Sequence, residues 1–297
     1  MQTPVVWKKG RFKGALFSLI THRFFCFFAI PLLFISGVLP AAAANCAADH
    51  LDEYVSVAHV YDGDTVKLTD GRKIRLIGIN TPEIGRRGDP SEPYADDARI
   101  ALQKILQGRR VALRYDKDRH DRYGRVLAHL FIDQEQSVEV QLLERGLGTV
   151  LTVPPNVWNV DCYVAAERRA QASQSKLWSS PPLDSGSLTN LSADFSGYRL
   201  VSGRILRTER DKGAFLLRLK GGVTVYISPR DLAYFDGSWP KRIQGATLSV
   251  KGWLRYQGGE WRIQARHPTA LLSITMNRKT RSSRGLFAAS CSPTRWT

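Results

Sequence analysis

Seven side chains in the first half of the sequence have the types and spacing to do chemistry. Asp62 and Asp64 flank a glycine in DGDT; Arg75, Asn80, Thr81 and Glu83 fall within RLIGINTPE, residues 75–83; Arg125 closes DRYGR. Carboxylate, amide and carbonyl oxygens are the ligands a hard divalent cation takes. Guanidinium forks match phosphate oxygens in pairs, and a carboxylate within reach of a water can accept its proton. Each motif also has an ordinary reading, because Asp-Gly is the commonest hairpin signal, a Pro turn after a strand is routine, and Tyr-Gly can simply be a turn. Their weight therefore depends on whether the fold gathers them.

Other sources of chemistry drop out. His59, His120 and His129 have no Ser or Cys partner at a motif spacing and read as surface or core packing. DKDRHDRYG looks like a calcium loop, but it puts His120 at the third ligand place and Asp121 where that loop needs glycine. There is no CxxC or Cys/His spacing for structural zinc.

The elements that must position the seven are legible from the alternation of apolar and polar residues. YVSVAHVY, DTVKL and RKIRLIGI, separated by Asp-Gly turns, read as an antiparallel meander. After the irregular stretch Arg86 to Pro90, a helical pattern runs from about Pro93 to Gln107, with Gly108 as its stop. RRVALRYD and RVLAHLFI follow as two strands around a charged turn, and two more helices are expected at about residues 137–145 and 157–177. Five strands with a helix between the third and fourth is the order of an OB barrel, so the predicted class is α+β, mostly β: a five-stranded OB-fold-like barrel with three helices. Such a meander brings the start of strand two, the end of strand three and the start of strand five within reach of one another.

With these motifs in order, through DGDTVKL, RLIGINTPE and DRYGR to a helix closing in KLW, residues 55–178 resemble the staphylococcal nuclease, or thermonuclease, family. The resemblance implies an OB-like barrel with three helices that cleaves DNA and RNA with calcium and leaves 3′-phosphate ends. It implies Asp64 and Asn80 as side-chain calcium ligands and the Thr81 carbonyl as a third, with Asp62 just outside. Arg75 and Arg125 would grip the scissile phosphate, and Glu83 would act on the attacking water. The chemistry is consistent: phosphodiester charge must be neutralised as the pentacoordinate state forms, and metal plus carboxylate divide the activation of water.

Two departures stand out. The usual family residue at position 80 is aspartate, and an amide oxygen still coordinates calcium but with one formal charge fewer, so weaker metal binding with catalysis retained is expected. The family's aromatic residues that pack on the nucleotide base are not evident in LTVPPN, where Thr152 stands, which leaves base preference open. The rival from another class is a non-catalytic nucleic-acid-binding protein with a degenerate metal site; a structural envelope protein with a vestigial barrel is weaker.

The remaining chain divides at WSSPPLDSGSLTN, a Ser/Pro/Gly-rich linker. The expected boundaries are a catalytic domain over 45–178, a linker over 179–195, an all-β OB-like domain over 196–276 and a basic, Ser/Arg-rich tail over 277–297. The formal charge of +16 is uneven: residues 45–180 hold 19 basic against 20 acidic side chains, residues 181–276 hold 14 against 7. A basic second domain suggests a surface for phosphate backbones, with Trp253, Arg255, Tyr256, Trp261 and Arg262 around one hairpin as stacking and phosphate-holding candidates for single-stranded or locally open DNA and RNA. The competing reading is that these aromatics fill a barrel. A monomer is expected.

Residues 1–44 read as an export signal: Lys8, Lys9, Arg11, Lys13 and Arg23 precede an apolar run from Phe24 to Leu39, interrupted by Pro31 and followed by Ala41 to Ala44. An uncleaved anchor and a lipid-modified Cys46 are the alternatives. Export places the mature chain in the periplasm or outside the cell, where disulfides persist. Cys46 precedes the first strand and Cys162 lies in the last helix of the same domain, so a disulfide between them is expected, against the plainer reading of two buried thiols; Cys291 would be left over.

Overall fold

Alternating apolar residues in short segments make strands that bury one face, and here they close into two barrels. The computed structural model describes residues 46–85, 88–132, 135–179, 196–235 and 243–275, all within the unit Ala42–Thr297. The expected export signal, nearly all of the linker, and the basic tail lie outside the described residues. Among those described, no helix is long and apolar enough to cross a membrane.

The first barrel contains β1 (Glu53–Val55), β2 (Val57–Val60), β3 (Thr65–Leu68), β4 (Lys73–Leu76), β5 (Gly78–Asn80), α1 (Ala95–Leu106), β6 (Val111–Arg114), β7 (Val126–Ile132), β8 (Gln136–Ser137), α2 (Val138–Glu144), β9 (Thr149–Leu151) and α3 (Val160–Ala172). β1 and β2 are two halves of the first expected strand. The sheet order β1-β6-β7-β4-β3-β2 therefore closes on a single strand, with β4 and β7 parallel. This is the OB arrangement the sequence predicts. Its core joins Val66, Leu68, Ile74 and Leu76 to Leu102 of α1, Leu142 of α2 and Tyr163 of α3.

The third expected strand, RKIRLIGI, is broken rather than continuous. Gly78 sits at φ +84°, and a Cβ there would lie 2.3 Å from the Tyr163 ring, so only glycine lets the chain turn off β4 and pair with β9 as β5. The third helix is shorter than its expected span of 157–177. It starts after Asn159, which is left-handed at φ 58°, because Trp158 N–H is held by Asp116. It ends where the Ser173 hydroxyl donates back to the Arg169 carbonyl, and KLW forms a separate 3-10 turn. His129 is buried against the Tyr163 hydroxyl at 2.7 Å, so packing is its role. Cys46 and Cys162 are joined by a disulfide with their Cα atoms 5.8 Å apart. Closing a loop of this length restricts the unfolded chain by about 4 to 5 kcal/mol in the chain-entropy account.

The second barrel contains β10 (Gly197–Asp211), β11 (Ala214–Leu219), β12 (Val223–Ile227), β13 (Thr247–Gln257), β14 (Glu260–Gln264) and β15 (Leu271–Thr275). Its ring runs β10-β11-β12-β14-β13 and back to β10, with β12 and β14 parallel and β15 added to β13. Third and fifth strands parallel, with the fourth returning to the first, is the same ring as in the first barrel. The second domain is thus OB-like as well, around Val201, Leu217, Val225, Leu248, Val250 and Ile263.

The two barrels are in direct contact. Lys251 of β13 and Glu167 of α3 form an ion pair whose side chains are 1% and 4% exposed, and Glu167 also accepts the Val150 N–H at 2.7 Å. Burial pulls Lys251 below the ordinary lysine pKa. Thr149 Oγ1 donates to the Tyr198 hydroxyl at 3.1 Å, Thr269 Oγ1 donates to Thr152 Oγ1 at 3.0 Å, and Arg266 donates to the Pro154 carbonyl at 3.3 Å.

Lys251→Ala strands the Glu167 carboxylate in the interface and should cost about 3 to 5 kcal/mol in urea unfolding, whereas Lys251→Met with Glu167→Gln should recover most of the loss; equal losses would show that the charge is not what matters. Glu139, which accepts the Leu130 N–H and the Ser137 hydroxyl, is pushed up to about 8 by burial, from an ordinary glutamate value of 4.5. The folded chain therefore holds this proton more tightly than the unfolded one, so its contribution is full below pH 4.5 and is lost as pH rises toward 8. Comparing unfolding free energies across that window, Glu139→Gln should remove a decline of up to about 1.4 kcal/mol per pH unit; an unchanged slope would refute the assignment.

Candidate active site

The strands deliver the seven residues to one rim. Asp64 immediately precedes β3, whose first residue, Thr65, pairs with Arg75 of β4. Arg125 immediately precedes β7, whose Val126 sits opposite Ile74. The break at Gly78 swings Asn80 to the end of β5, with Thr81 next in the chain. Asp62, Asp64, Asn80 and Thr81 are all buried.

Arg75 is the hub. Its Nη1 donates to the Ile79 carbonyl at 2.9 Å and to that of Leu76. Its Nη2 lies 2.9 Å from Asp64 Oδ2 and 3.3 Å from Asn80 Oδ1, so one guanidinium corner bridges the carboxylate and the amide. Asp64 Oδ2 also accepts the Thr81 N–H at 2.9 Å, and Asp64 Oδ1 the Thr65 hydroxyl at 3.1 Å. The Thr81 carbonyl faces Asn80 Nδ2 at 3.4 Å, while Thr81 Oγ1 is buried without a hydrogen-bond partner. Gly63 makes this closeness possible: a Cβ there would come within 2.7 Å of both Thr81 Oγ1 and Ala98 of α1.

Negative charge is crowded here. Asp62, whose Oδ1 accepts the Asp64 N–H, is pushed up to about 6, first by burial and then by the Asp64 charge. The Glu83 side chain reaches solvent, yet its pKa is raised by the protein packed around it and by Asp64 and Asp62. Arg125 joins from the other side: its Nε is held by Asp121 at 2.7 Å and its Nη1 reaches Thr65 Oγ1 at 3.5 Å.

Among the described residues no three His, Cys, Asp or Glu side chains are grouped to hold a metal. The donor set is instead mixed: one carboxylate, one amide oxygen and one main-chain carbonyl, all oxygen. That set suits a hard cation. Crowded carboxylates with raised pKa values, an unpartnered Thr81 hydroxyl and a guanidinium that neutralises Asp64 while donating to the Asn80 amide oxygen together describe a place where positive charge is wanted, so the residues fit such an ion.

The stacking candidates of the second barrel are divided. Trp253 and Tyr256 are exposed at 37% and 63%, with Arg255 exposed between them. Trp261 is not on that surface: on β14 residues 261 and 263 point inward, and Trp261 packs in the core, meeting Tyr256 edge-on at 5.4 Å. Arg262 is tied to Glu260. Thr152 is buried and bonded to Thr269, so that position faces the second barrel rather than open solvent.

Sequence reasoning missed Glu92. Its carboxylate Oε2 accepts the Glu83 N–H at 2.9 Å and its own N–H donates to the Glu83 carbonyl at 2.9 Å. Nothing in SEPY marks it, because the pairing depends on the path of the intervening chain.

Comparison with known proteins agrees with this geometry. The family model described as staphylococcal nuclease homologue matches residues 73–180. The thermonuclease of Staphylococcus intermedius is 35% identical over 135 residues, 44% of this chain and 80% of its own. That of Staphylococcus hyicus is 33% identical over 131 residues, 43% of this chain and 77% of its own. Endonuclease YncB of Bacillus subtilis is 33% identical over 141 residues, 46% of this chain and 64% of its own. With the barrel, the rim and these relatives in agreement, this chain belongs to the staphylococcal nuclease family.

Proposed function

We propose that this protein is an exported, calcium-dependent nuclease that hydrolyses DNA and RNA to 3′-phosphate ends. The observation that carries the reading is the bridge from Arg75 to both Asp64 and Asn80 beside Glu83 and Arg125. Its relatives are named thermonuclease and endonuclease. Export is supported by the Cys46–Cys162 disulfide, a bond that persists in oxidising compartments.

In this reading Asp64, Asn80 Oδ1 and the Thr81 carbonyl would hold Ca²⁺. Bound there, the ion would polarise the phosphate, orient the attacking water and take over the neutralisation of Asp64 now supplied by Arg75. Arg75 and Arg125 place guanidinium donors on the phosphate oxygens as charge develops. Glu83, solvent-reaching and with a raised pKa, takes the proton of the water as its oxygen bonds to phosphorus. The P–O5′ bond breaks, the 5′ oxygen leaves and takes a proton from solvent while Glu83 returns its proton to solvent, and the phosphate stays on the 3′ side. Asp62 keeps the Asp64 backbone in place. The exposed Trp253, Arg255 and Tyr256 add a stacking and phosphate-holding surface on the second barrel.

Incubating the purified protein with single-stranded DNA, with calcium or with a chelator, tests this. Calcium-dependent cleavage leaving 3′-phosphates is expected, with Glu83→Gln slower by about 10²- to 10⁴-fold; binding without cleavage would instead favour a non-catalytic nucleic-acid-binding protein. Restoring the missing charge with Asn80→Asp should bring half-maximal activity to lower calcium, and an unchanged calcium requirement would refute the role of Asn80.

A further inference from the structure

Glu83 stands on a segment whose stem is closed by Glu92, and the second barrel holds Glu92. The two main-chain and side-chain bonds between Glu83 and Glu92 are both 2.9 Å, and Gly85 N–H is held by Ser91 Oγ at 3.1 Å. The other Glu92 oxygen, Oε1, lies 3.4 Å from Arg199 Nη1 on β10. That guanidinium is itself aimed: Nη1 donates to the Tyr198 carbonyl at 2.9 Å and Nη2 to that of Ser196 at 3.1 Å. Gly197 leaves room for it, since a Cβ there would already press on Nη1 at 3.2 Å. The same strand is anchored next to the ligand residues, because Tyr198 bonds Thr149, the residue opposite Asn80 in the β5–β9 pair. One strand of the second barrel therefore touches both the segment bearing Glu83 and the strand pair bearing Asn80.

We propose that Arg199 is a positioning residue for Glu83, acting through Glu92, so that the second barrel completes the catalytic rim of the first. Arg199 touches no reacting atom. An ion pair with side chains 25% and 34% exposed adds little to stability. Its leverage is geometric, because small displacements of a base cost rate out of proportion to the energy that holds it. The role rests on the nuclease reading above, but the clamp itself does not.

The test uses the full mature chain and has two arms. In the first, hydrogen exchange is followed in a peptide covering residues 81–92, where the Glu83 amide should exchange faster in Arg199→Gln than in wild type. In the second, steady-state cleavage of a single-stranded DNA oligonucleotide with calcium is measured for Arg199→Gln, Arg199→Lys, Glu92→Gln and the Arg199→Gln/Glu92→Gln double variant. Arg199→Gln should lower kcat about three- to tenfold with KM within about twofold, and Arg199→Lys should restore most of it. The double variant should be no slower than Glu92→Gln alone. Arg207→Gln, on the same strand and exposed, is the control expected to leave kcat unchanged. Unaltered exchange overturns the clamp; unaltered kcat, a change in KM alone, or a further full loss in the Glu92→Gln background overturns the positioning role. If the wild type does not cleave at all, the nuclease reading fails and with it the positioning role, while the exchange arm still decides whether the second barrel holds the Glu83 segment.

Discussion

The site depends on one electrostatic constraint. Two buried carboxylates two residues apart, with a third close by, repel one another in a medium that screens them poorly, and Arg75 is the group that reconciles them. Its guanidinium is fixed by main-chain carbonyls of Leu76 and Ile79, so the charge is held by the turn at the end of the third strand itself. Everything that shapes that turn consequently shapes the site. Gly78 breaks the strand because the Tyr163 ring fills the space a side chain would need, and Gly63 lets Thr81 approach Asp64.

The second constraint is the contact between barrels. A tethered binding module would need nothing beyond a linker, whereas here a buried ion pair, two hydroxyl pairs and an arginine clamp join the second barrel to β9, α3 and the Glu83 segment. Glu167 shows the economy of the arrangement, since its carboxylate caps the Val150 N–H of the first barrel while it neutralises Lys251 of the second. Separating chemistry from substrate holding, as the uneven charge of the chain suggests, is compatible with this contact, but the two parts share an interface.

The barrel and the rim were legible because short apolar alternation with Asp-Gly turns specifies strands locally, and the order of five strands specifies which ends meet. Asp64, Arg75 and Arg125 come to the rim in this way, whereas Asn80 reaches it through the turn at Gly78. The split of RKIRLIGI at Gly78 was not legible, because it depends on a tyrosine 85 residues further along the chain. For Trp261 the sequence leaves stacking surface and barrel filling both open, since strand alternation says that two faces exist without saying which one the barrel encloses; the structure puts it inside. Glu92 and Arg199 escaped notice for the same kind of reason: each acts through a contact made only after the two barrels have packed.

The central proposal is that Asp64 and the Asn80 amide oxygen, now held by Arg75, receive a cation together with the Thr81 carbonyl, freeing the arginine for phosphate. A crystal structure of the protein grown with calcium and a nucleoside 3′,5′-bisphosphate examines this most directly. The account predicts one ion touching Asp64, Asn80 Oδ1 and the Thr81 carbonyl, with Arg75 and Arg125 turned onto a phosphate and Glu83 beside it. An ion bound elsewhere, or a phosphate seated while Arg75 still bridges Asp64 and Asn80, would contradict it.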